Sequence, residues 1–338
     1  MIELSLASIV PGGEKMRLPI AREKHTRQAA IEIFRQLAKI HYSLTMEFRN
    51  ILSPAHAHRV GYMAKLYNRK VKKFKKLCTL DDDYKAMLGD WGLPNCSAKV
   101  AEAIVNIANI AAIPNTDVLN RHYKPFSSEV YGETNLSQMR SICDELGIGP
   151  HDVFADLGSG VGQLVCFTSA YTGCKKAVGI ELAAVPAGYA KEMEKYYKRL
   201  MLHFNKAQSP IELIHGSFLD EKHRILISEA TVIFMNNYAF DPKLMNSIQS
   251  DILMFLNASV KIITTMPLGK VKGAKPETMN QRKARDFCSF CESEPLISVP
   301  GGVSWTNKPV TFYKNTVNQE KIYQSMSKQN RSNTLERV

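Results

Sequence analysis

The spacing of hydrophobic positions changes character along the chain. In the first 115 or so residues, apolar side chains recur at helical spacing, which predicts helices over 25–52, 57–77 and 98–113. The stretch 78–97 between the last two is polar and carries turn residues, so it predicts a loop or a short helix. The N-terminal third is therefore expected to be a helical domain.

Beyond residue 150, five short apolar runs alternate with amphipathic helical patterns, which predicts a parallel sheet with helices on both faces. The segment 296–317 has a glycine-bearing turn between two apolar runs, so it predicts an antiparallel hairpin at the sheet edge. This set is typical of the α/β, class I methyltransferase sheet, seven-stranded and Rossmann-like, here with a helical N-terminal domain. The predicted parallel strands are 153–158, 176–182, 211–216, 231–237 and 259–266.

Charge is distributed as unevenly as hydrophobicity. The net charge is +12, yet residues 126–313 hold 19 basic and 19 acidic side chains, whereas residues 1–125 hold 20 against 11. The densest basic stretch, 59–76, has eight basic residues and no acid. Two interpretations stay open for it: a solvated helix face, or a polyanion-binding or nuclear-targeting segment.

These patterns predict three regions: a basic helical domain over 1–118, a domain with the alternating pattern over 119–317, and a basic, disordered tail over 318–338. No apolar run approaches the ~18 uncharged residues of a membrane span, so no membrane partner is expected. Seven cysteines, an odd number, fit free thiols. Cys288 and Cys291 form a CxxC without a second pair, so no metal is expected.

The stretch "DVFADLGSGVGQ" (152–163) ends an apolar run in an acid followed by alternate glycines. A dinucleotide fingerprint needs G-x-G-x-x-G, but Gln163 stands where its third glycine would be. Asp156 would repel a pyrophosphate, whereas it would attract the ammonium and sulfonium groups of S-adenosylmethionine. The loop therefore favours S-adenosylmethionine as the cofactor.

Two further strand ends carry candidate chemistry. Glu181 ends the next strand, 25 residues after Asp156, where a carboxylate accepts hydrogen bonds from ribose hydroxyls. The fourth strand ends in "MNNYAF" (235–240). There Asn236 would direct its carbonyl at a substrate amine between aromatic walls; the alternative is an Asn-capped turn over core aromatics.

Four blocks, "YKPFSSEVYGETNLSQM", "FADLGSGVGQ", "VIFMNNYAF" and "GGVSWTNKPVTFY", occur in this order within Leu119–Tyr313. Together they closely resemble the catalytic domain of the disruptor-of-telomeric-silencing family, the histone H3 lysine methyltransferases that lack a SET domain. The resemblance implies a class I fold, S-adenosylmethionine as methyl donor, and methylation of a lysine in the globular core of histone H3 on nucleosomes.

The resemblance also implies roles for individual residues. Residues 131–134 would form a loop that closes over the methionine end of the cofactor. The strand and glycine loop over 154–163 would line the cofactor, and Phe218 would cover its adenine. The implied cofactor-binding residues are Tyr131, Gly132, Glu133, Thr134, Phe154, Ala155, Asp156, Leu157, Gly158, Ser159, Gly160, Val161, Gly162, Gln163, Glu181, Ser217, Phe218 and Asn236.

The implied catalytic set is Asn236 with an apolar lysine channel of Phe126, Phe240, Trp305 and Phe312. The resemblance further implies a nuclear protein whose partner is the nucleosome, through histone H3, the DNA backbone and the acidic patch, with Arg282 as the candidate anchor. Such a channel would desolvate lysine, favour its neutral form and align its nitrogen with the methyl group.

Two positions depart from the family's pattern. Ser217 stands where the family usually has an aspartate that binds the adenine amino group, and Phe312 stands where a tyrosine is usual. The first predicts weaker cofactor binding and the second a lower turnover. Two alternative functions stay open: a weak or inactive paralogue that binds chromatin or cofactor, and a class I methyltransferase acting on RNA or another protein amine.

Overall fold

The architecture is described from a computed structural model, which divides the chain into two compact units. The described residues are 2–20, 24–39, 60–115, 119, 134–272, 288–304, 306 and 308–324. The first unit comprises Met1–His122, Val161–Gly173 and Val185–Leu213, and the second comprises Tyr123–Gly160, Cys174–Ala184 and Ile214–Val338. The boundaries predicted at 118 and 317 remain predictions.

The helices of the first unit agree with the hydrophobic spacing. They are α1 (Lys24–Lys39), α2 (Val60–Cys78), α3 (Asp82–Ala86), α4 (Ala98–Ala112), α6 (Gln163–Thr172) and α7 (Ala184–His203). Residues 40–52 of the first predicted helix lie outside the described residues. Where a loop or short helix was predicted, α3 is followed by a 3₁₀ turn at Gly89–Gly92. Ser97 caps α4, because its side chain accepts a hydrogen bond from Val100 N.

A hairpin that the spacing analysis missed precedes these helices. Strands β1 (Ile2–Leu6) and β2 (Met16–Ile20) pair antiparallel. Alternate side chains, Leu4, Leu6, Met16 and Leu18, are buried, which is the period-two pattern of a half-buried strand. The N-terminal region is therefore helical with one added hairpin.

The second unit contains most of an eight-stranded sheet. Its strands are β3 (Val153–Leu157), β4 (Lys176–Glu181), β5 (Ile211–His215), β6 (Val232–Met235), β7 (Lys261–Thr264), β8 (Lys270–Val271), β9 (Cys291–Pro295) and β10 (Tyr313–Val317). The helices of this unit are α5 (Leu136–Leu146), α8 (Arg224–Ser228) and α9 (Pro242–Asp251). The five strands predicted to be parallel are all present.

The strand order is β5-β4-β3-β6-β7-β10-β9-β8. Strand β3 pairs in parallel with both β4 and β6, so the order reverses there, and ligands of open α/β sheets bind outside the carboxyl ends at such a point. This order, with β10 antiparallel to β7, confirms the class I, Rossmann-like methyltransferase sheet. The glycine loop and Asn236 follow the carboxyl ends of β3 and β6.

The predicted hairpin over 296–317 was wrong in its first strand. The antiparallel partner of β10 is β9, Cys291–Pro295, which precedes the glycine turn, and residues 296–312 connect the two. Strand β9 has the sequence CESEP, so its apolar signal is weak. Its buried Ser293 is accommodated because Asn315 of β10 accepts its hydroxyl hydrogen bond at 2.6 Å.

Candidate functional site

The glycine loop leaves β3 directly after Asp156 and is anchored to the end of β4. The amides of Gly158 and Ser159 donate to the carbonyl of Ile180 at 2.9 and 3.1 Å. Gly158 and Gly160 have φ of 92° and 56°, the left-handed region that glycine adopts without a Cβ penalty. The loop is therefore held against the end of β4, and its glycines, which have no side chains, allow a ligand to approach its backbone closely.

Glu181 holds this loop together. One carboxylate oxygen accepts a hydrogen bond from Gly160 N at 2.8 Å and the other accepts one from Ala183 N at 2.7 Å. Its backbone carbonyl accepts from Gly216 N at 2.9 Å, which brings the chain after β5 to the same place. A carboxylate has about four lone-pair sites, so it can bind hydroxyl groups as well as backbone amides.

The carboxyl group of Asp156 is buried, with only 3% of the residue exposed. Burial raises the pKa of Asp156 to about 8, and the negative charge of nearby Glu181 adds to the rise. Because the two negative charges repel each other, either protonation of Asp156 or a bound cation would stabilise the pair. Their charge therefore suits a cationic ligand and opposes a pyrophosphate, as the sequence indicated.

The rest of the loop, Val161, Gly162 and Gln163, belongs to the first unit. Gly162 has φ of 85° and precedes α6, which begins at Gln163. A Cβ on Gly162 would stand 2.5 Å from Leu213 Cδ1, so a larger residue would both strain the backbone and collide there. Val161 is 2% exposed.

Ser217 and Phe218 follow β5 and lie beside the chain that ends β4. Ser217 Oγ accepts a hydrogen bond from Leu219 N at 3.1 Å, which fixes the turn and leaves the hydroxyl proton to donate elsewhere. The rings of Phe218 and Phe240 stack with centroids 6.4 Å apart. Phe240 Cζ is 4.0 Å from where a Cβ on Gly158 would be. The structure thus brings the predicted adenine cover, one predicted channel residue and the glycine loop together.

Asn236 stands at the end of β6, and its amide is held by a residue that the sequence analysis did not identify. Thr265, just beyond β7, is 3% exposed, and its hydroxyl lies 3.0 Å from Asn236 Oδ1 and 3.2 Å from Asn237 Oδ1. Asn237 Oδ1 also accepts from Met266 N at 2.8 Å. The paired threonines ending the predicted strand 259–266 were the available signal, since the carboxyl end of this strand lies beside that of β6; of the two, Thr265 contacts Asn236, whereas Thr264 contacts Asn315.

Several other predicted site residues are buried in the core, on or next to the strands of the sheet. Phe312 is completely buried, with its ring centroid 6.2 Å from that of Phe234 on β6. Phe154, Ala155 and Leu157 are buried in β3. Their side chains pack the core, so contact of these three with a cofactor would run through the backbone.

Thr134 begins the described chain before α5 and forms an antiparallel bridge with Val303. Its hydroxyl is buried and has no hydrogen-bond partner among the described residues. A buried hydroxyl without a partner costs free energy, so a polar ligand atom beside it would be favourable. Phe126, Tyr131, Gly132, Glu133 and Trp305, predicted to line the same site, lie outside the described residues.

All seven cysteines are buried and free, including Cys288 and Cys291. In the described parts of the chain, no group of three or more His, Cys, Asp or Glu side chains is placed to hold a metal ion. No described helix is both long and apolar enough to cross a membrane.

The strand order and the two acids at adjacent strand ends define a protein with the class I methyltransferase fold. A family model described as "Histone methylation protein DOT1" matches residues 109–317. The chain belongs to this family, which confirms the resemblance drawn from its four sequence blocks.

Curated relatives extend the similarity beyond that region. The chain is 39% identical over 335 residues to a Caenorhabditis elegans protein named "Histone-lysine N-methyltransferase, H3 lysine-79 specific", covering 97% of this chain and 34% of the relative. It is 31% identical over 216 residues to a Drosophila melanogaster protein of the same name, covering 64% of this chain and 11% of the relative. The chain therefore spans about a third or less of these relatives' lengths.

Proposed function

We propose that the chain transfers a methyl group from S-adenosylmethionine to a lysine of histone H3. The observation that carries the proposal is the acid pair at adjacent strand ends beside the glycine loop, in which Asp156 is buried and Glu181 is partly exposed. Carboxylates attract cations and accept hydrogen bonds from hydroxyl groups, so the pair suits a cationic ligand that also carries hydroxyls. S-adenosylmethionine has an ammonium, a sulfonium and a ribose, so it fits both demands.

Each part of the cofactor has a candidate partner among the described residues. Asp156 would accept from the ammonium group, and Glu181 would accept from the ribose hydroxyls. Phe218 would cover the adenine, beside Ser217. The Thr134 hydroxyl, buried without a partner in the described chain, supports a polar contact with the methionine end, where Tyr131, Gly132 and Glu133 would close over it.

When bound, S-adenosylmethionine supplies an electrophilic methyl group. The chain's own contribution is to position a neutral amine in line with that methyl. Asn236 Oδ1 accepts a hydrogen bond from the Thr265 hydroxyl at 3.0 Å, and in the proposed mechanism the same oxygen would direct the lysine amine towards the methyl group. Phe240, with Phe126, Trp305 and Phe312, would exclude water, which favours the uncharged amine.

The substrate proposal rests on the relatives. Those reported above are named as specific for lysine 79 of histone H3, so the equivalent lysine is the proposed acceptor. The nucleosome is the proposed partner, through histone H3, its acidic patch and the DNA backbone, and the nucleus the proposed location. Arg282 is the proposed anchor on the acidic patch.

The two departures from the family's pattern predict a weakened enzyme. Ser217 is shorter than aspartate and uncharged, so the adenine would lose one contact, worth the lower end of ~1–3 kcal/mol. That loss would raise the Michaelis constant for the cofactor. Phe312 lacks the hydroxyl of tyrosine, so it would lower turnover.

Cofactor binding by the Glu181→Ala variant tests the proposal. Losing a charge-assisted hydrogen bond costs ~1.5–3 kcal/mol, so affinity for S-adenosylhomocysteine in calorimetry should fall roughly ten- to hundredfold. Glu229→Ala, an exposed glutamate before β6, is the control and should bind normally. Equal affinity in the wild type and Glu181→Ala would remove the ribose assignment.

A further inference from the structure

One face of α2 carries five exposed cations. Their spacing places them within an arc of about 100° around the helix, since successive residues turn by about 100°. Exposed Tyr62 lies in the same arc. The opposite side is buried in the first unit through Met63, Tyr67, Val71 and Phe74. The basic face consists of Lys65, Arg69, Lys72, Lys73 and Lys76.

Within the part of the chain that the structure describes, no acidic side chain pairs with the basic face. None of its five side chains forms an ion pair or hydrogen bond with another residue in the described ranges, and α2 itself contains no acid. By contrast, two exposed lysines of α7 are paired: Lys195 contacts Glu192 and Lys198 contacts Glu194. Like charges one helical turn apart repel, so α2 carries an electrostatic cost that a bound polyanion would relieve.

The composition and length of this face indicate the kind of polyanion. Four of its five cations are lysines, which protein interfaces disfavour, whereas arginine is enriched there. Lysine suits phosphates as a flexible point charge without base readout. From Lys65 to Lys76 the helix rises about 16 Å, at about 1.5 Å per residue, and neighbouring cations stand about 5–6 Å apart, so several can reach successive phosphates.

We infer that the basic face of α2 binds the phosphate backbone of double-stranded DNA without sequence preference. The inference deepens the proposed function, because a nucleosomal substrate presents such a backbone. Only the identification of this DNA as nucleosomal rests on the proposed function, since binding to naked DNA needs no methyl donor.

A matched pair of triple variants tests the inference. The first carries Lys65→Gln, Arg69→Gln and Lys72→Gln. The control carries Lys195→Gln, Lys198→Gln and Arg199→Gln on α7, which removes the same residue types from another exposed helix surface. Circular dichroism confirms that both fold. Fluorescence anisotropy then measures affinity for a duplex DNA and for polyglutamate over a range of salt concentrations.

For duplex DNA, the slope of log affinity against log salt should become shallower by up to about 2.7 in the α2 variant, at about 0.9 per phosphate contact. The control should change it by less than one contact. An unchanged slope in the α2 variant, or equal losses in both variants, would overturn the inference. So would a loss confined to polyglutamate, which would make the face a site for acidic protein.

Nucleosome methylation separates this inference from the proposed function. The α2 variant should raise the nucleosome KM several-fold and leave kcat unchanged, because these residues are not part of the site. If the DNA slope changes but neither protein methylates nucleosomes, the proposed function fails and the DNA-binding face stands.

Discussion

At the scale of single residues, the central feature of the site is a carboxyl group whose ionised form is disfavoured by burial and by a neighbouring acid. Asp156 is buried next to Glu181, and the pKa of Asp156 is raised to about 8. Without a ligand, its neutral form is therefore favoured at physiological pH. A cationic ligand would favour the ionised form and lower that pKa, so cofactor binding is linked to proton release.

Affinity for S-adenosylhomocysteine should consequently depend on pH. Below about pH 8 the free protein holds the Asp156 proton and must release it on binding, so affinity should rise with pH by up to about tenfold per unit and level off above pH 8. Calorimetry between pH 6.5 and 9, in buffers of different ionisation enthalpy, measures both the affinity and the released proton.

The Asp156→Asn variant is the control for this pH dependence. It cannot ionise, so it should bind more weakly and without the slope. A flat profile in the wild type, or the same slope in the variant, would contradict the assignment of the titrating group.

Thr265 is expected to position Asn236. The Thr265→Val variant keeps the side-chain shape but removes the hydroxyl that donates to Asn236 Oδ1, and a misplaced group of this kind costs up to about 10²-fold in rate. We expect kcat to fall at least several-fold while affinity for S-adenosylhomocysteine stays within twofold. The Thr265→Ser variant keeps the hydroxyl and should restore most of the turnover. Equal rates in all three proteins would show that Asn236 needs no such support.

The sequence predicted the acids and missed Thr265 for a physical reason. Asp156 and Glu181 end apolar runs on adjacent strands, so their meeting follows from the parallel sheet alone. The contact between Thr265 and Asn236 depends on how the turns after β6 and β7 are shaped. Nothing in the spacing of hydrophobic positions encodes those turns.

At the scale of elements, the antiparallel edge of the sheet depends on one buried polar side chain. Asn315 of β10 is fully buried; its amide nitrogen donates to Thr264 Oγ1 at 2.8 Å and Ile262 O at 3.1 Å. Its amide oxygen accepts from Ser293 Oγ at 2.6 Å and Leu268 N at 3.0 Å. The side chain thereby joins β10 to β7, to β9 and to the turn after β7.

Replacing Asn315 with leucine should strongly destabilise the protein. The substitution leaves several buried donors and acceptors unpaired, at ~1–3 kcal/mol each, so the free energy of unfolding in urea should fall by about 3 kcal/mol or more. Asn318→Leu is the matched control. Among the described residues, Asn318 Oδ1 accepts one hydrogen bond, from Lys321 N at the start of a helical turn, so its loss should cost about 1 kcal/mol. Similar small losses in both variants would contradict the role given to Asn315.

The hydrogen bonds of Asn315 also explain why the sequence predicted strands β3 to β7 but missed β9. Strands β3 to β7 are apolar runs flanked by helical patterns, and all five were found. Strand β9 buries Ser293, whose polarity is compensated only by Asn315 across the sheet. A partner 22 residues away along the chain leaves no local pattern, so the predicted hairpin was placed too late. The β1–β2 hairpin, in contrast, showed a readable alternation that the helical spacing nearby obscured.

At the scale of the whole molecule, charge and chemistry occupy different parts of the sequence. The part with the glycine loop and Asn236 is neutral, and the net positive charge lies in the flanking regions. This separation fits the proposed function, in which the site selects its ligand by shape and by the acid pair, and the flanks hold a polyanionic substrate. Free histone lacks the DNA that those flanks would bind, so the intact nucleosome should be the better substrate.

The central claim is tested most directly by methyl transfer from tritiated S-adenosylmethionine to reconstituted nucleosomes, free histone H3 and RNA side by side. We expect label on histone H3 of the nucleosomes, little on free H3 and none on RNA. The Asn236→Ala variant should still bind S-adenosylhomocysteine and transfer little. Label on RNA alone, equal label on free H3, or no label on nucleosomes at saturating cofactor would contradict the proposed function.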